Sequence, residues 1–384
     1  SLRNDLADDD PDRQRWDDAL DALESLGLME DPGLRHEETQ AAKETLWDLY
    51  THGAGIRGHV DACLARLNGD PGELERFHAL DRLLSRQRFR LCWWKNANEE
   101  INYRRFFDIN ELIALRQENP PVFTHTHARV LEMARVGLLD GVRIDHVDGL
   151  ATPGAYLRRL RQSLGTEAAI LVEKILGPEE ALAGDWPVQG TTGYDFAFRL
   201  NGLFVKRENE GRFSAVYESF TGRRTSFEEV MHRAKHEILT TRLAGDLADL
   251  VRRLRTIAAE KCFAGHLTLN RLEGALSELL ACFPIYRTYF GEAAGRPGDP
   301  EALQTAAAHA VRRRPQLETE IDFIHELLQD RSICRRSPET ETHNALRRSA
   351  IRTFQQLSAA LMAKGCEDTA FYRYHRLLSL NEVG

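Results

Sequence analysis

Residues 141–150 read GVRIDHVDGL and bring one arginine, one histidine and two aspartates into ten positions. Arg143 and Asp145 stand two apart, so in an extended segment both side chains point to one face. A second carboxyl follows in AAILVEKILG, where Glu173 closes a compact apolar run and Lys174 comes directly after it. Glycosidic chemistry needs two carboxyl groups with separate roles. One stays ionised and attacks the anomeric carbon; the other protonates the departing oxygen. Arg143 would keep Asp145 ionised, and the apolar run before Glu173 would raise its pKa toward that of a general acid. For any single member the plainer alternative is structural: an Arg143–Asp145 ion pair, with Glu173 paired to Lys174. That alternative weakens when the whole set falls in strand order. His146 and Asp148 extend the cluster, and His146 suits a sugar hydroxyl as well as it suits an ordinary loop.

The flanking segments indicate how these residues are held. Upstream, ARVLEMARVGLLD repeats Val130, Leu131, Ala134 and Leu138 at helical spacing; downstream, PGAYLRRLRQSLG repeats Tyr156, Leu157, Leu160 and Leu164. Helix, short strand, helix, short strand is the rhythm of a βαβ unit in a parallel sheet, covering roughly 122–200. In such sheets reactive side chains gather at the carboxyl ends of the strands. Asp145 and Glu173 occupy equivalent places there.

The remainder of the chain predicts mostly helix. Trp16, Leu20, Leu23 and Leu26 form one stripe in residues 1–90, and Ile56, Val60, Leu64 and Leu67 form another. Residues 88–116 are rich in aromatics, arginine and asparagine. After residue 200, Leu243, Leu247, Leu250, Leu254 and Ile257 make a stripe, as do Leu272, Leu276, Leu279 and Phe283. These stripes predict helix-on-helix packing within one domain rather than a coiled coil, and VRRLR predicts a solvated helix face. Pyranose rings stack on flat side chains, so Trp93, Trp94, Tyr103 and Tyr194 are candidate sugar platforms, with core burial as their alternative. Tyr194 and Asp195 in the Gly-bounded TTGYD loop, together with Lys174, are assigned to substrate contact.

Composition bounds the rest. The chain has 384 residues, 29% of them charged, and a formal net charge of −8 with both signs interspersed. Nothing in that balance calls for nucleic acid or an anionic membrane, and no apolar run is long enough to span a bilayer. Cys63, Cys92, Cys262, Cys282, Cys334 and Cys366 are scattered, without a CxxC pair or histidines at ligand spacing. Reduced structural thiols in a cytoplasmic protein are therefore expected, with neither disulfides nor a zinc site.

GVRIDHVDGL followed by ILVEKIL resembles the second and third signature regions of the α-amylase clan of glycoside hydrolases. INYRRFFDINEL, RIDHVDGLATPGAYL, VEKILGPEEAL, DWPVQGTTGYDF and MAKGCEDTAFYRYHRLLSLNEVG together resemble the maltooligosyl trehalose synthase family within that clan. The resemblance implies an α/β fold, a (β/α)8 TIM-barrel catalytic domain with large helical insertions. It implies Asp145 as nucleophile, Glu173 as general acid/base and Arg143 as the residue orienting the nucleophile. His146, Asp148, Lys174, Tyr194, Asp195, Trp94 and Tyr103 become substrate-binding candidates, with a maltooligosaccharide as partner and neither metal nor organic cofactor. The clan's aspartate–asparagine–histidine region has no counterpart in residues 1–90. Its histidine–aspartate pair, which carries the third carboxylate, is expected beyond NEVG, and Asp368 is the nearby substitute. The chain is accordingly expected to be an internal fragment, a partial barrel with fewer than eight parallel strands and an exposed flank.

The expected organisation is a helical insertion over 1–115, the βαβ part over 116–200, a helical segment over 201–360, and a return to the barrel over 361–384. The expected activity is an isomerase reaction, intramolecular transglucosylation of the reducing-end α-1,4 linkage to an α,α-1,1 linkage in trehalose biosynthesis. An α-glucan hydrolase of the same clan and a non-catalytic carbohydrate-binding remnant are the alternatives.

Overall fold

The computed structural model describes residues 6, 9–68, 77–177, 180–260, 267–292, 296–329 and 338–381. They divide into two compact units, 1–92 and 93–384. Cys262 and Cys334 lie outside the described residues, whereas Cys63, Cys92, Cys282 and Cys366 are free thiols.

The first unit contains α1 (Arg13–Ser25), α2 (Pro32–His52), α3 (Ala54–Asn68) and α4 (His78–Ser85). Asp31 starts α2 by accepting from the amides of Gly33 at 2.7 Å and Leu34 at 3.2 Å, with Pro32 in the first turn. Trp16, Leu49 and Ile56 form the core, with Leu20, Leu46 and Val60 against them. The stripe predicted on α3 is rotated. Its buried face is Ile56, His59 and Cys63, while Leu64 is 49% exposed. The His59 ring stands edge-on to Trp16 at 6.3 Å, so the indole of α1 selects the face that α3 turns inward.

Residues 93–115, expected with the N-terminal helices, belong to the second unit. There α5 (Ala97–Glu100) precedes an antiparallel ribbon, β1 (Arg105–Phe106) and β2 (Ile109–Ile113). Buried Arg105 fixes this ribbon by donating to Asp246 at 3.1 Å and to the carbonyl of Arg242 at 2.9 Å. The parallel sheet consists of β3 (Gly141–Ile144), β4 (Ala169–Val172) and β5 (Gly190–Thr191), side by side in chain order. Two helices, α6 (Pro120–Arg135) and α7 (Pro153–Leu164), alternate with the strands as the sequence rhythm predicts. Phe123, Val147, Tyr156, Leu157, Leu160, Ile170 and Val172 pack around the sheet. Among the described residues the parallel strands number three, an open sheet rather than a closed barrel. The stripe predicted on α6 is not core: Phe123 is the buried residue of α6, and Leu138 is 69% exposed.

Two further helices, α8 (Tyr194–Gly202) and α9 (Glu210–Thr221), lead into a helical body. That body contains α10 (Phe227–Thr240), α11 (Ala244–Glu260), α12 (Leu269–Ala281), α13 (Asp299–Arg313), α14 (Glu318–Leu328) and α15 (Pro338–Leu361). Both predicted leucine stripes are fully buried in it, packed helix on helix with Ile321, Ile324 and Phe354. From α15 the chain continues into a π-helical segment, Met362–Ala370. Wide π turns are uncommon and often occur at functional sites. Among the described residues no helix is long and apolar enough to cross a membrane.

Candidate active site

The ends of β3 and β4 bring the two predicted carboxyl groups together. Backbone pairing aligns Ile144 with Val172, and the amide of Glu173 donates to the Ile144 carbonyl at 2.7 Å, so Asp145 and Glu173 leave their strands at the same level. Arg143 touches both. Its Nη1 donates to Asp145 Oδ1 at 2.7 Å and its Nη2 lies 3.7 Å from Glu173 Oε1. The Asp145 hydrogen bond is the largest influence holding this guanidinium protonated, and the Glu173 charge adds to it.

The chain turns sharply after Asp145. His146 is left-handed, with φ 46° and ψ 47°, a conformation that a bulky residue adopts only where its surroundings enforce it. Three contacts enforce it here. The His146 ring lies 4.2 Å from that of Phe107; its amide donates to Glu173 Oε2 at 2.7 Å; and Gly149 leaves room for the imidazole. A Cβ on Gly149 would stand 2.3 Å from His146 Cδ2. Beyond the turn, buried Arg287 donates to the carbonyls of Asp148 at 2.8 Å and Leu150 at 2.7 Å, and Gln356 of α15 donates to that of Gly149 at 2.9 Å. The helical body thereby fixes the loop that carries the site.

Below the cleft lies a buried charge network. Lys174 Nζ is 3.0 Å from Asp148 Oδ2 and 2.8 Å from Glu180 Oε1, and Tyr289 also donates to Asp148. Burial opposes both charges of the Asp148–Lys174 pair, yet mutual attraction prevails. Asp148 is held below the usual carboxyl range and Lys174 above the usual lysine range. Asp148 and Lys174 thus form the floor of the site.

A small cavity of about 50 Å³ opens above this floor, walled by Phe107, His146, Glu173, Ile175, Tyr286 and Glu367. Burial pushes the His146 imidazole down to about 4, leaving it neutral, and pushes the Glu367 carboxyl up to about 8. Tyr286 donates to Glu367. The resemblance implies a third carboxylate beyond NEVG, with Asp368 as the nearby substitute. That side chain is half-exposed and pairs with Lys364 at 2.6 Å, while its neighbour Glu367 shares the cavity with Glu173. The two adjacent carboxyls of the π-helical segment thus face different surroundings.

Glu173 also departs from its expected setting. Its carboxyl lies past the apolar strand, among Arg143, the His146 amide and the Tyr194 hydroxyl, which is 3.4 Å away. Polar donors hold its oxygens, while Phe107 and Ile175 share its cavity. Tyr194 therefore joins the site, whereas Asp195 accepts from Thr191 at 2.8 Å in the first turn of α8. Trp94 is exposed beside Lys95, and Tyr103 donates to the Asn110 carbonyl at 2.7 Å. None of the hydrogen bonds or ion pairs among the described residues joins Asp195, Trp94 or Tyr103 to Asp145 or Glu173.

No protein-family model matches the chain. A Mycobacterium tuberculosis protein named as a maltooligosyl trehalose synthase is 37% identical over 299 residues, which are 78% of this chain and 35% of that protein. A solved maltooligosyltrehalose synthase from Arthrobacter ramosus aligns at TM-score 0.66 and 34% identity, over 79% of this chain and 36% of the other. A Sulfolobus tokodaii structure of the same name aligns at TM-score 0.58 and 32% identity, over 80% of this chain and 36% of the other. The chain spans about a third of the length of the curated relatives it matches.

Proposed function

We propose that this chain, similar over most of its length to a third of the maltooligosyl trehalose synthases, carries the catalytic carboxyl pair of an intramolecular transglucosylase acting on maltooligosaccharides. The observation that carries the proposal is the Arg143 guanidinium, which lies within ion-pair distance of both Asp145 and Glu173 at the carboxyl ends of adjacent parallel strands. Asp145 attacks the anomeric carbon of the penultimate glucose as the α-1,4 bond breaks, and Glu173 gives its proton to the departing oxygen of the terminal glucose. The freed glucose turns in place. Its anomeric hydroxyl attacks the glycosyl-enzyme, returns a proton to Glu173 and releases Asp145, forming a terminal α,α-1,1 linkage. Two inversions at one carbon retain its configuration.

His146 and Tyr194 serve this cycle by holding Glu173, the first through its amide and the second through its hydroxyl. Neutral His146 keeps one ring nitrogen as donor and one as acceptor for sugar hydroxyls. A (β/α)8 barrel is the architecture in which we place the observed sheet, and the cytoplasm is the compartment that its free thiols suit.

The test is to incubate the chain with maltopentaose and follow reducing ends and free glucose together. Loss of reducing ends without glucose release, abolished by Asp145→Asn, supports the proposal. Stoichiometric glucose would mean that water intercepts the intermediate and that hydrolysis is the activity.

A further inference from the structure

Where α10 packs on α12, four side chains with metal-ligand chemistry meet, and the cleft uses none of them. His232 and His236 lie four apart on α10; Glu278 and Cys282 lie four apart at the end of α12. Each pair therefore projects from one helix face, one turn apart. His232 Nε2 is 2.7 Å from Glu278 Oε1, His236 Nε2 is 3.1 Å from Oε2, and Cys282 Sγ is 3.7 Å from Oε1. The ligand atoms of His232, Glu278 and Cys282 all lie within 4.8 Å of one another. Glu278 is 3% exposed. It also has two arginines at hand, with Arg313 Nε at 3.3 Å and Arg314 Nε at 3.7 Å.

We propose that this junction is a divalent transition-metal site of the zinc class, ligated by His232, His236, Glu278 and Cys282. Two imidazoles, one carboxylate and one thiolate form a four-donor set of the borderline-soft kind that zinc takes, and each donor has its usual tetrahedral role. Ligand bonds near 2.0–2.3 Å place the donor atoms roughly 3–4 Å apart, so small rotations of His232, Glu278 and Cys282 close three positions, and the His236 ring turns in from Glu278 Oε2 to fill the fourth. The charges balance, because the 2+ ion meets one thiolate and one carboxylate beside two neutral imidazoles.

Binding rearranges protons in a defined way. Without metal, each imidazole donates from Nε2 to Glu278, and Arg313 donates to His232 Nδ1 at 3.2 Å. Burial, and then the Glu278 charge, push the Cys282 thiol up to about 12, so it starts protonated. Metal displaces that proton to solvent, and each imidazole proton moves from Nε2 to Nδ1 through water. Arg313 can no longer donate to His232 Nδ1. It keeps its existing contact with Glu229 at 2.9 Å instead. Arg313 thus opposes the metal, both by its charge and by holding the wrong tautomer. Arg314, 3.7 Å from Glu278, and buried Lys235, whose Nζ donates to the Phe283 carbonyl at 2.8 Å, are two further nearby cations.

Cobalt(II) is the probe, since tetrahedral coordination gives visible ligand-field bands and a thiolate ligand adds a near-ultraviolet charge-transfer band. With the full chain, both should appear and zinc should bleach them. Cys282→Ser should remove the charge-transfer band. His236→Ala, at a partly exposed position, should weaken cobalt binding at least about tenfold. Arg313→Gln should tighten it, and Cys92→Ser should leave the spectrum unchanged. Circular dichroism of each variant separates loss of the site from loss of the fold. The proposal is overturned if saturating cobalt gives no bands, or if the charge-transfer band survives Cys282→Ser or disappears with Cys92→Ser in folded protein.

Discussion

The amide of His146 donates to Glu173 Oε2 at 2.7 Å, and this contact ties the turn after one strand to the carboxyl after the next. The left-handed backbone of His146 aims the amide, so the geometry of the proposed acid depends on a residue of the nucleophile's own loop.

That dependence separates the roles of the two carboxyls. With a glycosyl fluoride, whose leaving group needs little protonation, Glu173→Ala should still load Asp145 and accumulate a covalent intermediate detectable by mass spectrometry. Asp145→Ala should not. Added azide should restore turnover of the Glu173 variant with retained configuration. Trapping in the Asp145 variant alone would exchange the assignments.

Gly149 should resist substitution because of His146. Gly149→Ala places a methyl carbon 2.3 Å from the imidazole and should cost about 1–3 kcal/mol, read from the urea midpoint. In a His146→Ala background the same change should cost much less. Equal costs in both backgrounds would show that the imidazole is not what excludes a side chain there.

Lys174→Met should be severely destabilising, by about 3–5 kcal/mol, because it leaves Asp148 and Glu180 buried beside each other without their shared cation. Loss of activity without loss of stability would instead place Lys174 among groups that contact substrate.

The Glu367 carboxyl, pushed up to about 8, is neutral in the folded protein between about pH 4.5 and 8 but ionised in the unfolded chain. Folding therefore takes up a proton in that window, and this group makes stability fall as pH rises, by at most about 1.4 kcal/mol per pH unit. Glu367→Gln should flatten the slope relative to the parent chain. Asp148 acts in another range. Its depressed carboxyl contributes stability that is present above about pH 4 and lost as pH falls through the folded value.

Local pattern was enough for the alternating strands and helices around the paired carboxyls and for the later helical body, but not for the β1–β2 ribbon. The leucine stripes on α11 and α12 are buried as read, because repetition over several turns leaves one face to pack. Arg143, Asp145 and Glu173 were legible because strand pleat and parallel register are short-range rules. Several assignments needed partners remote in sequence. His59 and Cys63 replaced Leu64 on the inner face of α3 because Trp16 lies opposite. Asp148 and Lys174, read as sugar ligands, pair with each other once Tyr289 and Arg287 cover them. Glu367 lines the cavity beside Glu173 while Asp368 pairs with Lys364 outside it, a difference that local pattern does not encode. The His232–Glu278 contact joins residues 46 positions apart, beyond the reach of any spacing rule for cysteines. Sequence by itself determined which side chains could do the chemistry and on which strand ends they sit. Tertiary structure alone decided which of them are buried, because burial and charge depend on neighbours that the chain supplies from a distance.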